Sequence, residues 1–595
     1  MEGASITSAI LRKDTSLWKL LYGILCVGML LMLVAKPPLI AAYPWKAILS
    51  ALCAASLIGI VMGRRGGEVI EMRVPRFFIV FALFVLWSVG SSLYVGSMEV
   101  ARWQFLSWLS SLWIFLIAYQ VMTEERQLKL SQLFVYGVLA NFLMGVILTE
   151  VGLSRWFLFS HYAGSFPNKN YLAEALVIAL PFSLYQGLNA LGWRRRLFWM
   201  TASALVVSHA FVGGSKSGIL GIGLELLVCW LMWVRLRWGI RLFSLKCGLL
   251  VGGGVTLLVG AIWYGMQTRL HGNFVGNASD MLACRVDTWK TAWLMIEDSP
   301  IWGIGSYRFV WDYPVYDLGT PGSICTSVMK HFIHAHSEPL HIWAELGLLG
   351  LGLITAGFLW VARDSWCYFG RISGELRQRF IFLFLLPVLG LLAQGIFNRP
   401  LHWTFSPFAF ALLLSFLPVN LAMVVSWSRI RRIGLVLVPL YFFAFWGTAL
   451  DLKSLYYREA AEYSLRQGAF SRGLKESLIA IELTPNNPDL AEVVARNYKR
   501  LGLWVEAKEY YLRTLESYPD STATLMNLAY VEAKMNRFER AKWYLEEVRV
   551  YFPNDPKVDA LAAYVEQREA EIKAASMETN GSDVSVFPAG SHESQ

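Results

Sequence analysis

His336 lies where a long polar stretch gives way to an apolar span, in the segment FIHAHSEPLHIWAELGLLG from Phe332 to Gly350. An imidazole where a membrane helix meets water is partly dehydrated, titrates near neutral pH and sits level with lipid head groups. That position suits removal of a proton from a group attacking a lipid-linked substrate. A histidine that merely snorkels to the interface has the same sequence signature, so the reading depends on the other polar clusters in the chain.

Three such clusters fall on the same expected side of the membrane. Gly164 to Ala173 reads GSFPNKNYLA and offers Asn168 and Asn170 at the start of an apolar span. Gly214 to Gly218 reads GSKSG, a tight turn carrying Ser215 and Lys216. Cys284 to Trp293 reads CRVDTWKTAW, an amphipathic helical stretch with Arg285, and SPIWGIGSYRF follows it, where Gly303 and Gly305 permit close backbone approach. Each has an ordinary alternative: the asparagines can cap a helix, Lys216 can snorkel, and Arg285 can pair with Asp287 or Asp280. Together, two cations and a base are what transfer from a polyprenyl diphosphate requires. The cations neutralise the leaving diphosphate, and the base activates a sugar hydroxyl that is otherwise a poor nucleophile. His331, His334, His336 and His341 crowd together, but Glu338 is the one carboxylate close by in sequence and the loop has no DxD motif. Neither a metal nor any other cofactor is therefore expected.

The elements that must position these residues are membrane helices. Of 595 residues, 56% are hydrophobic and 16% charged, with a mean hydropathy of +0.45, too apolar for a soluble globular chain. About 13 apolar runs are long enough to span a bilayer as helix. They lie near 17 to 35, 44 to 63, 77 to 95, 103 to 122, 130 to 150, 171 to 190, 197 to 213, 217 to 234, 244 to 266, 341 to 362, 380 to 398, 403 to 425 and 433 to 450. The net charge of +10 reflects topology, and no nucleic-acid partner is expected. One alternating set of short loops holds most of the cations, among them Arg64, Arg65, Arg194 to Arg196, Arg235, Arg237 and Arg429 to Arg432. The other set has only Lys36, Lys46, Arg102, Arg155, Lys169, Lys216 and Arg399. By the positive-inside rule the first set and the N-terminus are cytoplasmic, while the loop 267–340 and everything after Leu450 are outside. The first apolar run reads as a retained anchor, not a cleaved signal. Cys284 and Cys325 share the outer loop, where a disulfide is one of two even alternatives.

After the last span the chain turns charged and repeats itself. Pro485, Pro519 and Pro553 are 34 residues apart, as are Gly468, Gly502 and Asn536, and Ala461, Ala495 and Ala529. A small residue where helices touch, a turn residue between them and a closing proline at this period are the tetratricopeptide signature. The expected layout is therefore a membrane domain over 1–450, a repeat domain over 451–574 and a disordered tail over 575–595. Repeats of this kind bind peptides or partner proteins, so a protein partner is expected, with mere stabilisation of the membrane domain as the alternative.

The order GxxxNxN, Ser-basic-x-Gly, an Arg-bearing segment with PxxGxG, and then His-Ser-x-x-Leu with ExGxxG resembles the O-antigen ligase and polymerase superfamily. The residues are Gly164, Asn168 and Asn170; Ser215, Lys216 and Gly218; Arg285, Trp289, Pro300, Gly303 and Gly305; and His336, Ser337, Leu340, Glu345, Gly347 and Gly350. The resemblance covers roughly residues 15 to 425 and is most specific in its last two blocks. It implies an all-α, GT-C-like helix bundle in a bacterial inner membrane that transfers a glycan from undecaprenyl diphosphate on the outer face, inverting the anomeric centre without metal. His336 would be the base, Arg285 and Lys216 would hold the diphosphate, and Asn168, Asn170, Ser215, Ser337, Glu338 and Glu345 would support them. The family usually has arginine at the position of Lys216 and asparagine at that of Ser337.

The acceptor stays open at this point: lipid A core sugar for a ligase, a second lipid-linked glycan for a polymerase, or a protein for an oligosaccharyltransferase. A transporter is the reading from a different class, resting on Glu174 and Glu225 within apolar spans. The candidate residues gather on one face, however, whereas transporters place their sites near the midplane between repeats.

Overall fold

The computed structural model describes residues 16–34, 71–94, 108–151, 169–238, 274–316, 334–399, 405–417, 422–485, 487–517, 521–551 and 556–582. Among these, six helices are long and apolar enough to cross a membrane: Glu124–Ile147, Lys169–Leu188, Lys216–Val234, Glu338–Phe369, Gly374–Gly395 and Leu435–Arg466. Shorter apolar helices cover Lys19–Leu30, Phe77–Ser92 and Ser110–Val121. The chain is a multi-pass membrane protein with a helical-repeat unit, and its described residues fall into two compact units.

The first unit contains α1 (Ser16–Val34), α2 (Phe77–Tyr94), α3 (Ser110–Val121), α4 (Glu124–Glu150), α5 (Lys169–Leu188), α6 (Trp193–Gly213) and α7 (Lys216–Trp238). Then come α8 (Phe274–Asp298), whose stretch from Thr288 on belongs here, α9 (Phe309–Tyr316), of which Phe309 belongs here and the rest to the second unit, α10 (Glu338–Phe369), α11 (Gly374–Phe380), a π-helical turn at Ile381–Leu385, α12 (Leu386–Gly395) and α13 (Phe405–Leu414). Pro387 at the start of α12 has no N–H to continue a regular ladder, which accounts for the π turn before it. The central helix is α5, buried on every side from Leu172 to Ser183 and packed against α4, α6, α7 and α12. A helix that is apolar all round is an interior helix. Its few polar groups therefore face other protein elements.

Two expected spans, 44–63 and 244–266, lie outside the described residues, as does the start of 103–122. The run 403–425 departs from expectation. Its helix ends at Leu414, and Ala422–Ser426 (β2) forms an antiparallel pair with Glu71–Pro75 (β1), Glu71 opposite Ser426 and Pro75 opposite Ala422. Pro418 removes a helix donor between the two segments, and Val424 and Val425 are β-branched, so this end of the run favours a strand. Gln120 on α3 completes the free edge of β1, accepting from the Arg73 N–H at 3.0 Å and donating to its carbonyl at 2.8 Å. The last span continues without interruption as α14 (Trp427–Arg466), beyond its expected end at Leu450.

In the second unit, helices alternate with the expected period: α15 (Phe470–Leu483), α16 (Pro488–Leu501), α17 (Trp504–Ser517), α18 (Thr522–Lys534), α19 (Phe538–Tyr551) and α20 (Pro556–Ser582). Ala461, Ala495 and Ala529 are fully buried where helices touch. Gly468, Gly502 and Asn536 all take left-handed φ, at 76°, 76° and 58°, as helix-ending residues. Asn536 is the one that carries a Cβ there. Asn536→Gly is expected to stabilise this unit by about 0.5 kcal/mol, and Gly502→Ala to destabilise it by about 1 kcal/mol. Thermal unfolding of the two variants checks both signs. The final helix runs to Ser582, past Ala574 where the disordered tail was expected to begin.

Candidate active site

The GSKSG turn is built by a helix end meeting a helix start. Gly214 closes α6 in the left-handed conformation, its N–H reaching the carbonyls of Ala210 and Phe211. Ser215 then precedes α7, its Oγ accepting from the Gly218 N–H at 3.3 Å and donating to Asn170 Oδ1 on α5 at 2.9 Å. Lys216 is the first residue of α7, where the helix presents its unpaired N–H groups and the positive end of its dipole. Gly218 is required by packing: a Cβ there would lie 2.4 Å from that of Ala173.

One turn further along α5, Glu174 is fully buried and accepts hydrogen bonds from Asn398 Nδ2 at 3.3 Å and from the Ser406 hydroxyl. Ser406 and Glu338 line one cavity of about 150 Å³, whose other walls include Ile342, Ile354, Phe358, Leu391 and Phe410. Asn170 and Glu174 are four residues apart, about 6 Å along one helix face. The Ser215–Asn170 bond thus ties the turn that carries Lys216 to the start of α5.

The His336 segment is strained at its tip and interlocked at its base. His336 has φ +50°, a left-handed value unusual for a residue with a side chain, and its ring lies 4.4 Å from that of His334. Ser337 is the N-cap residue of α10 without a side-chain cap bond, and Glu338 opens the helix with Pro339 behind it. Nine residues on, Gly347 breaks α10 with φ 66° and ψ −172°. The break leaves backbone groups without helical partners, and the segment 300–305 supplies them. Ile304 and Gly305 donate to the carbonyls of Ala344 and Glu345, both at 2.9 Å, while Leu348 and Leu349 donate to those of Pro300 and Ile301 at 2.9 and 3.2 Å. Trp87 Nε1 donates to the Leu346 carbonyl at 2.9 Å. The PxxGxG and ExGxxG motifs are therefore two halves of one backbone joint.

Side chains reinforce the joint. Glu345 Oε1 accepts from the Phe309 N–H at 3.2 Å and lies 3.3 Å from His341 Nε2. Arg399 Nη1 is 2.6 Å from the same Nε2. A guanidinium can only donate, so Nε2 accepts and the imidazole proton resides on Nδ1. Arg399→Ala is expected to cost about 1–3 kcal/mol by leaving this buried acceptor without its donor, a loss that urea or thermal unfolding would register.

The structure thus brings together Asn170 with Ser215, Glu174 with Asn398 and Ser406, and Ser406 with Glu338 along one cavity. Glu345 joins His341, Arg399 and the Phe309 backbone. Asn168 lies outside the described residues, and Cys284 and Cys325 are outside the described side chains. Arg285 is on α8 within the second unit, half-buried, and burial lowers its guanidinium below the ordinary arginine value. Among the described residues no group of three His, Cys, Asp or Glu side chains could hold a metal. The sequence reading missed Asn398, Ser406 and the roles of Arg399 and His341. An Asn-Arg-Pro sequence closing an apolar span was the available signal.

A polytopic helix bundle with a polar cluster at helix starts, joined to a helical-repeat unit, defines the class as a multi-pass membrane protein with an appended helical-repeat unit. Residues 201–355 match the family model described as O-antigen ligase (Wzy_C). The match includes the GSKSG turn and the joint between 300–305 and α10. No curated protein matches the chain. Among solved structures, the crystal structure of the APC/C hetero-tetramer Cut9-Hcn1 aligns over 88% of this chain and 94% of that chain, with 11% identity and a TM-score of 0.20.

Proposed function

We propose that the protein is a membrane glycosyltransferase that moves a glycan from undecaprenyl diphosphate to an acceptor hydroxyl at the outer face of a bacterial inner membrane. What supports this reading is the Ser215–Asn170 bond that sets the Lys216 turn at the start of α5, together with a cavity at the start of α10, just after His336, that has Glu338 and Ser406 at its polar side and apolar walls elsewhere. An amphiphilic donor with a charged head and a polyprenyl tail has that same division of polarity.

In the proposed reaction the acceptor C–OH gives its proton to His336 as its oxygen attacks the anomeric carbon of the donor sugar. The bond from that carbon to the diphosphate oxygen breaks, and undecaprenyl diphosphate leaves with both bonding electrons. Lys216, aided by the α7 N-terminus, holds the leaving diphosphate. Attack opposite the leaving group inverts the anomeric centre. Ser215 and Asn170 fix the turn that carries Lys216, and Glu338 and Glu345 fix the helix that follows His336. These roles need no metal.

The acceptor we favour is lipid A core sugar, as in a ligase. A protein acceptor is the second reading, favoured by the repeat unit, since such units hold polypeptide segments. Transfer from purified undecaprenyl-diphosphate-linked glycan with EDTA present, offered lipid A core, lipid-linked glycan and protein in turn, identifies the acceptor by which product appears. Loss of all transfer on adding EDTA would reject the metal-free reaction, and no product with any acceptor would reject the transferase reading.

A further inference from the structure

The repeat unit has one surface where its residues depart from ordinary solvated helix. Arg496, Tyr530 and Tyr564 are successive at the 34-residue period, on α16, α18 and α20, so they form a row across the first helices of three repeats. Tyr530 and Tyr564 stack with centroids 5.6 Å apart and planes 20° from parallel, and Trp504 meets Tyr530 edge-on at 6.1 Å. Lys499 Nζ lies 5.6 Å from the Tyr530 centroid, and Lys534 Nζ lies 5.4 Å from the centroids of both tyrosines. Lys499 also donates to Asn527 Oδ1 at 2.6 Å. Burial, with Arg500 and Arg496 beside it, pushes the Lys499 ammonium down to about 8. Cations held this closely, and partly out of water, are stabilised by an incoming anion.

The ring faces of this cluster are already taken by each other and by the ammonium groups. What remains on offer are the ammonium N–H donors of Lys499 and Lys534, which suit a carboxylate better than the flat face of a sugar. The row is also short. One period before Arg496 stands Glu462, which pairs with Arg496, and Glu492 lies 3.8 Å from Arg496 on α16 itself. A repeating anionic polymer would meet carboxylates at that end, whereas a segment with one or two acidic residues fits the cationic stretch alone. We propose that Lys499, Tyr530, Lys534 and Tyr564 form a docking ledge for a short acidic segment of a partner protein. This deepens the reading of the repeat unit as a partner-binding module. It is tested by binding alone, so its outcome is separable from that of the transferase reading.

The probes are a fluorescein-labelled hexapeptide of alternating Glu and Leu, its Gln and Leu counterpart, and oligogalacturonate as an acidic-glycan competitor, each offered to the full-length protein in detergent. The glutamate peptide is expected to bind at least about ten-fold more tightly than the glutamine peptide. Paired Lys499→Gln and Lys534→Gln should remove about ten-fold of that affinity, and paired Lys→Arg should retain it within about three-fold. Lys534→Gln alone, at the more open position, gives the same direction should the pair unfold. Equal binding of both peptides, indifference to the lysine substitutions, or no peptide binding overturns the proposal. Displacement of the peptide by oligogalacturonate at lower concentrations than by unlabelled peptide overturns the choice of a protein partner.

Discussion

His336→Ala is expected to lower glycan transfer by roughly 100-fold or more, with donor affinity little changed, because a base acts on the proton in flight and not on the bound ground state. The backbone gives this expectation a second arm. His336 holds a left-handed φ of +50°, a conformation that costs a residue with a Cβ about 1–2 kcal/mol. Glycine takes it without that cost. His336→Gly should therefore unfold no earlier than wild type while losing the same activity. A residue kept for structure would show the reverse, with stability falling alongside turnover. Strain retained at one position, against stability, is the pattern of a functional residue. Single-turnover transfer and thermal unfolding on the same preparations separate the two. Unchanged turnover in both variants would remove His336 as base.

Much of this arrangement could be read in the chain before any coordinates. The left-handed turn residues Gly468, Gly502 and Asn536, the buried Ala461, Ala495 and Ala529, and the close-approach glycines of PxxGxG and ExGxxG each carry their geometry in their residue type. Local conformational demands are legible because only a few residues meet them. Pairings between distant segments are less so. Nothing in the apolar run ending at Ser426 separates a membrane span from a strand until Glu71–Pro75 is seen opposite it. The contacts of Arg399 with His341, and of Asn398 and Ser406 with Glu174, join residues 58, 224 and 232 positions apart, and none forms a motif by spacing. Glu174 shows what this changes. Alone in an apolar run it reads as part of a transport path, yet with its oxygens held by Asn398 and Ser406 it serves as a fixed anchor between α5 and the segment after α12.

Gly347→Ala is expected to be the most damaging small substitution in the membrane unit. At φ 66° and ψ −172° the backbone occupies a region essentially closed to residues with a side chain, at a cost of about 1–3 kcal/mol. An added Cβ would also lie 2.1 Å from the Ile301 carbonyl oxygen and 2.6 Å from the Gly303 nitrogen. Relief requires the 300–305 segment to withdraw, which breaks the four backbone hydrogen bonds that fill the gap in α10. Each of those groups left without a partner away from water costs about 1–3 kcal/mol. If all four are lost, the sum is comparable to what a typical domain holds in reserve, about 5–15 kcal/mol. Little folded protein is therefore expected, with any survivor showing neither ordered strap nor transfer. Gly303→Ala should behave alike, since its Cβ would lie 2.3 Å from the Glu345 carbonyl oxygen. Gly352, five residues further along α10, meets nothing within 4 Å, so Gly352→Ala should be neutral or stabilising by up to about 1 kcal/mol. Folded yield and thermal unfolding of the three variants side by side test the joint. Gly347→Ala folding as well as Gly352→Ala would mean that the strap does not hold the helix that follows His336.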